Sequence, residues 1–263
     1  MTGNTWSTQR ERYDRMLQPF GDALLRAAAL RPGEHVIDVG CGTGTSALQA
    51  IEQLMPGGAL VGIDINPDLT NIATHRSRDI DGLTIVTADA TSYRPTQDVD
   101  AIISRFGTML CTDPVGAHRN LAAGLRPGGR LVCVVWQAPN RNLWHALPEH
   151  AIRAHLDLEW PDVTEAPGPF ALADPARIEW LLHEASLHVV RIDSIEARCW
   201  IAADIDGAID FFDATSRQLL HPSASAETID AIHRTLRASL EPYQTCAGIE
   251  VPSSAWLIEA TRP

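Results

Sequence analysis

The sequence predicts a doubly wound α/β sheet, and three observations carry that expectation. Strand-like and helix-like segments alternate five times between residues 35 and 136. The candidate strands LVGIDI and LVCVVW are nearly continuously apolar, as strands covered on both faces must be. A turn rich in glycine, inside VIDVGCGTGT (36–45), joins the first strand to the helix after it.

The elements follow in order. Residues 8–30 carry apolar positions at helical spacing, with a break expected near Pro19 and Gly21. HVIDVG is a short buried strand, TSALQAIEQLM the next helix, and PGG ends it. ALVGIDI is a second strand. NPDLTNIATHRSRD is a helix with Asn66 as its N-cap and Pro67 at its first position. LTIVTADA and VDAIISRF are the third and fourth strands. DPVGAHRNLAAGL is a helix, RPGG a turn and RLVCVVWQ the fifth strand.

The pattern changes after Trp136. Residues 137–170 are rich in proline, with a helix expected over 143–156. DPARIEWLLHEASL is a helix capped by Asp174, and HVVRIDSIEARCWI is a strand. Two amphipathic helices are expected over 204–220 and 225–241. Ile205, Ile209, Phe212 and Leu219 line the first; Ile229, Ile232, Leu236 and Leu240 line the second. AWLIEATR is a last strand. Trp144, Trp160, Phe170, Phe211 and Phe212 are expected to be mostly core, some of them walling a ligand pocket.

Bulk properties narrow the function classes. The 263 residues suit one large α/β domain, or one that carries an insertion. A net charge of −12 argues against a phosphate-tracking surface, so nucleic acid is disfavoured as a substrate. No apolar run reaches the ~18 residues of a membrane span, and the polar start MTGNTWSTQRERYDRM does not read as a secretory signal. Cys41, Cys111, Cys133, Cys199 and Cys246 are odd in number and form no CxxC, which fits reduced thiols in the cytoplasm. No HExxH occurs, and His145, His150 and His155 are spaced so as to scatter around a helix, so no metal site is expected. Oligomeric state is left open.

Gly40, Gly42 and Gly44 give the spacing GxGxG. The dinucleotide fingerprint GxGxxG would need its third glycine where Thr45 stands. Asp64 ends the second strand, where a carboxylate can accept both hydroxyls of a ribose. That feature alone does not separate a nicotinamide dinucleotide from another adenosine ligand.

The ordered series VIDVGCGTG, GIDIN, TADA, DAIISRF and LRPGGRLVCVVW resembles the class I S-adenosylmethionine-dependent methyltransferases. It is most like the small-molecule group that includes ubiquinone and menaquinone biosynthesis methyltransferases. The match covers roughly residues 10–136, and AWLIEATR resembles that family's last, antiparallel strand. The resemblance implies a mostly parallel seven-stranded sheet with a helical cap. It divides the chain into an N-terminal helical lid (1–30), a cofactor-binding core (31–140), a variable cap segment (141–172), a core helix and strand (173–203), a helical cap insertion (204–250) and a last core strand (251–263).

It also implies roles. Gly40, Gly42 and Gly44 border the methionine part and the ribose, and Asp38 anchors the cofactor's ammonium. Asp64 holds the ribose hydroxyls and Ile65 packs on adenine. Asp89 accepts from the adenine amino group, with the Ala90 amide nearby. Ser104 and Arg105 border the methionine moiety, although Arg105 departs from the acidic or aromatic residue of some relatives. Tyr13 closes over the methionine tail. A sulfonium cation without a pyrophosphate suits the acid series Asp38, Asp64 and Asp89 better than a helix-end anion site would.

Plainer readings stand beside these. Asp38 can simply satisfy loop amides, Asp89 can form a turn, and Tyr13 can be helix packing. Cys41 reads as a small residue in a tight turn. His145 and Glu149, four apart on a helix after the fifth strand, are either a candidate general base or a surface pair. The expected activity is methyl transfer from S-adenosylmethionine to a small-molecule acceptor. The alternatives are a non-methylating or regulatory member of the same fold and, behind it, a nicotinamide-dependent oxidoreductase.

Overall fold

A computed structural model describes residues 8–157, 164, 167–216 and 224–263. Its elements are α1 (Arg10–Ala28), β1 (His35–Val39), α2 (Thr45–Leu54), β2 (Ala59–Asp64), α3 (Pro67–Ser77), β3 (Leu83–Thr87), β4 (Val99–Arg105), α4 (Pro114–Gly124) and β5 (Leu125–Trp136). They continue with α5 (Leu143–Arg153), α6 (Pro175–Glu184), β6 (His188–Ala202), α7 (Ile205–Ser216), α8 (Ala226–Leu240), β7 (Gln244–Thr245) and β8 (Gly248–Thr261).

The strands order as β3-β2-β1-β4-β5-β8-β6, with β7 pairing on β8. β1, β2, β3, β4 and β5 run parallel, and β8 enters antiparallel beside β5, with Val132 opposite Glu259 and Trp136 opposite Ala255. The order reverses direction at β1 and β4, which places the ends of those two strands at the switch point where open α/β sheets bind ligands. The doubly wound sheet and its antiparallel late strand match the expectation. The two-residue β7 brings the sheet to eight strands rather than seven.

The chain divides into two units. One comprises Phe20–Gln137, Val163–Ile195 and Ala255–Pro263; the other comprises Met1–Pro19, Ala138–Asp162 and Glu196–Ser254. In the first, the central strands are buried end to end: Val36, Ile37, Leu60, Ile63, Ile102, Ile103 and Val132 through Val135 are at most 1% exposed. α2 presents Ala47, Ala50, Ile51 and Leu54 to this core at helical spacing, and each large aliphatic side chain so buried contributes ~1.5–3 kcal/mol. In the second unit Tyr13, Met16, Leu17, Ile152, Phe211, Phe212, Ile232, Leu236 and Leu240 form the buried set.

The capping residues behave as their side chains require. Asn66 accepts from the amides of Asp68 and Leu69, and Asp174 accepts from that of Ala176, each with proline at the first helical position.

Three expectations need correction. α1 is continuous through Pro19, so no break separates its halves. RPGG lies inside β5 as a bulge: Val99 faces Leu125 and Ala101 faces Arg130, so two steps of β4 oppose five of β5. The last strand starts at Gly248, because a short hairpin with β7 extends it backwards. Helix α7 is described to Ser216, so Leu219, and likewise Trp160, lie outside the described residues. No helix among the described residues is long and apolar enough to cross a membrane.

Candidate active site

The turn after β1 is built from bare backbone. Gly40 has φ 70° and a Cβ there would sit 2.7 Å from Gly107 Cα, so two backbone segments touch where no side chain fits. Gly42 has φ 55° and faces open space, the geometry of a turn that a ligand can approach closely. The turn is pinned because the Gly40 and Cys41 amides both donate to Ile63 O, at 2.8 and 3.0 Å. The Cys41 thiol is buried and its pKa is pushed well above the ordinary range by burial, which removes it as a nucleophile.

The acids gather at the ends of the first three strands. In register, Asp38 pairs with Gly62 of β2 and Ile103 of β4, and Asp64 pairs with Thr87 of β3. Asp38 is fully buried; Ser46 donates its hydroxyl to Oδ2 at 2.6 Å, and Oδ1 has no hydrogen-bond partner among the described residues. Burial pushes its carboxyl up to about 6, against the opposing pull of the Ser46 bond and the Arg105 charge. Asp64 accepts from the Gly42 amide and from the Asn66 amide, each at 2.9 Å. Burial raises its pKa, and these two amides pull it back. Ile65 follows with its side chain 69% exposed, unusual for so apolar a residue.

Asp89 sits in a turn in which the Thr91 amide and hydroxyl both donate to its Oδ1 at 2.8 Å. Ala90 is buried, and its carbonyl accepts from Asn120 Nδ2 at 2.7 Å. Ser104, fully buried, donates to Val39 O at 2.8 Å and accepts from the Thr108 amide at 3.2 Å, tying β1 to β4. Arg105 lies against Gly21 of α1, where an added Cβ would come within 3.3 Å of its guanidinium. Phe106 then takes φ 60°, a strained value for an aromatic residue. It is held there by stacking on Trp136 at 4.0 Å between centroids and by the edge of Phe20 at 5.6 Å.

The structure thus brings Asp38, the glycine turn, Asp64, Ser104 and Arg105 together at the ends of β1, β2 and β4, with Asp89 and Ala90 just past β3. Tyr13, His145 and Glu149 belong to the other unit. Tyr13 is 3% exposed and meets the edge of Phe211 at 5.4 Å, and burial pushes its phenol far up. His145 Nε2 lies 3.4 Å from Glu149, whose other oxygen pairs with Arg153 at 2.9 Å. Burial pushes His145 down to about 4, so its ring is neutral near pH 7.

Sequence reasoning missed four supporting residues. Ser46 orients Asp38, Gly107 lets the β4 turn touch the glycine turn, and Phe106 takes the strained conformation beside it. Asn120 clamps the Asp89 turn by donating to both Ala90 O and Tyr93 O at 2.7 Å. A hydroxyl in the first turn of α2 and an amide side chain within α4 were the available signals.

A doubly wound sheet with a bare turn after its first strand and acids at three strand ends defines an adenosine-binding class of α/β protein. Within that class the chain belongs to the family described as the methyltransferase domain, whose model matches residues 30–185. It is 34% identical over 137 residues to the demethylmenaquinone methyltransferase of Tropheryma whipplei, covering 49% of this chain and 56% of that one. It is 30% identical over 126 residues to the aklanonic acid methyltransferase DauC of a Streptomyces species, covering 45% and 57%. The chain therefore spans little more than half the length of these relatives. Among solved structures, the cyclase SpnF superposes with a TM-score of 0.57 at 18% identity, over 93% of this chain and 81% of that one, a likeness of fold alone.

Proposed function

We propose that this protein moves the methyl group of S-adenosylmethionine onto a small organic acceptor. The observation that carries the reading is Asp38. A fully buried carboxylate oxygen without a partner among the described residues costs free energy unless a ligand completes it. The ammonium of S-adenosylmethionine has the right charge for that oxygen. The open face of Gly42, the free lone pairs of Asp64 and the exposed side chain of Ile65 suit a turn, a ribose and an adenine ring in that order. When bound, the cofactor supplies a methyl group already activated by positive sulfur.

The chain's own residues then bind, orient and exclude water. Asp38 holds the amino group, Asp64 the ribose hydroxyls, and Asp89 with the Ala90 amide the adenine edge. Ser104 fixes the spacing of β1 and β4, and Arg105 offsets the buried charge of Asp38. Tyr13 is the candidate aromatic for the methionine tail. His145 is neutral, the candidate to take a proton from an acceptor that must lose one, and the Glu149 carboxylate lies 3.4 Å from its Nε2.

Small acceptors are favoured by the names of the relatives, a demethylmenaquinone methyltransferase and an aklanonic acid methyltransferase. Nucleic acid is disfavoured by the net charge of −12. The five free cysteines suit the cytoplasm.

Calorimetry with S-adenosylmethionine on the wild type and Asp64→Ala tests the site. Loss of two hydrogen bonds to a charged acceptor is expected to cost ~2–4 kcal/mol of binding. Unchanged affinity in Asp64→Ala would remove the assignment of Asp64, and no binding to the wild type would remove the reading itself.

A further inference from the structure

A cavity of about 610 Å³ in the second unit has a chemistry that the methyl-transfer reading does not use. It is lined by Thr8, Gln9, Arg10, Glu11, Arg12, Arg15 and Trp200, all within that one unit. Three arginines and one glutamate leave the lining positive in a chain whose net charge is −12.

Two of the arginines, Arg12 and Arg15, are held without a neutralising carboxylate among the described residues. Arg15 lies flat on Trp200, its Cζ 3.8 Å from the ring centroid, and the Trp200 indole is fixed by donating to Ala247 O at 2.8 Å. Arg12 sits over Phe211 at 5.3 Å and donates to Gly207 O at 3.2 Å. Neither Arg12 nor Arg15 has a carboxylate partner among the described residues, whereas Arg10 pairs with Glu11 at 3.3 Å. An aromatic face orients a guanidinium and leaves its N–H fork and its charge available. A carboxylate or phosphate group is the complement of such a fork. The volume exceeds what a bare ion fills and falls in the range of organic-ligand sites.

We propose that this cavity binds the oxyanion end of an organic molecule, gripped by Arg12 and Arg15, with Trp200 as part of the wall. The site stands on these residues alone and is independent of the methyl-transfer reading. A carboxylic acid and a phosphate ester share the recognising chemistry.

The test titrates the full chain with benzoate and with phenyl phosphate at constant ionic strength, followed by ligand-observed NMR. Saturable binding of at least one probe is expected, weakened at least ten-fold in Arg15→Gln and in Arg12→Gln. Arg126→Gln, whose guanidinium pairs with Asp100 in the other unit, serves as the charge control and should bind as the wild type does. Near-UV circular dichroism identifies any variant that fails to fold, and Arg15→Lys then replaces Arg15→Gln. It keeps the charge but loses the fork, and is expected to weaken binding several-fold. The proposal is overturned if neither probe binds, if binding survives both glutamine variants, or if Arg126→Gln weakens it equally.

Discussion

The two units treat charge in opposite ways. At the ends of β1, β2 and β3 the important groups are acids, and they are held by backbone: Asp64 by the Gly42 and Asn66 amides, Asp89 by the Thr91 amide and hydroxyl. In the other unit the important groups are arginines, and they are held by rings and a carbonyl. The first arrangement comes from one stretch of chain folded tightly on itself. The second is assembled from α1 and from the consecutive β6 and α7, with Gly207 lying 195 residues after Arg12 in the chain. Recognition built from backbone leaves its mark in glycine spacing, whereas recognition built from side chains on separate segments leaves no spacing to read.

The largest test of this contrast is Gly107→Ala. A Cβ at that position would lie 2.4 Å from Val39 O and 2.9 Å from Gly40 Cα, and backbone atoms cannot turn aside as a side chain can. The substitution is expected to destabilise the protein by about 3 kcal/mol or more, measured by urea unfolding. A loss under about 1 kcal/mol would mean that the backbone contact does not organise the site.

Asp38→Asn should act in the opposite direction. The carboxyl titrates at about 6 in the folded protein, above its ordinary value, so the folded state holds a proton that the unfolded state has released. Stability therefore falls as pH rises from about 4 to about 6, and the variant escapes that loss. At pH 7 it should be more stable than the wild type by about 3 kcal/mol while binding S-adenosylmethionine more weakly. In the wild type, affinity should fall up to ~ten-fold per pH unit below about 6, and this slope should vanish in the variant. A variant no more stable than the wild type at pH 7 would show that Asp38 is already satisfied.

His145 carries the matching test in the other unit. Its folded pKa of about 4 lies below the ordinary histidine value, so the unfolded chain takes up the proton first. Stability contributed by the neutral ring is complete above about pH 6.5 and is lost as pH falls towards 4. The wild type should lose about 2 kcal/mol more than His145→Gln over that range, allowing for the 17% exposure of the side chain. Parallel stability curves for the two proteins would contradict the burial of that ring.

The legibility of the sequence divides along the same line. The alternating strands, the Asn66 and Asp174 caps and the GxGxG turn followed by Asp64 were all readable, because each depends on neighbours within a few residues or on a fixed period. Gly107 was not, since its meaning lies in contact with Gly40 across the switch point. Asn120 was not, since it lies in α4 and acts on the carbonyls of Ala90 and Tyr93, 30 and 27 residues earlier in the chain. The RPGG segment reads locally as a turn, and only pairing with β4 turns it into a bulge within β5. The arginine cavity was invisible for the same reason: Arg12, Arg15 and Trp200 acquire their relation only when β6 folds beside α1.

The smallest effect is expected at Ile65, and it separates binding from folding most cleanly. A side chain that is 69% exposed contributes little to stability, so Ile65→Ser should change the unfolding free energy by less than ~0.5 kcal/mol. If that side chain packs on an adenine ring, part of its apolar surface leaves water only when ligand binds, a contribution of ~1 kcal/mol. Affinity for S-adenosylmethionine should then drop about five-fold, and the enthalpy of binding at several temperatures should show a smaller heat-capacity decrease. Adenosine should lose the same factor as the full cofactor, because the contact is confined to the base. Equal affinity of wild type and variant for both ligands would leave the exposed isoleucine without a role at the site. A loss for the cofactor but not for adenosine would move the contact from the base to the methionine end.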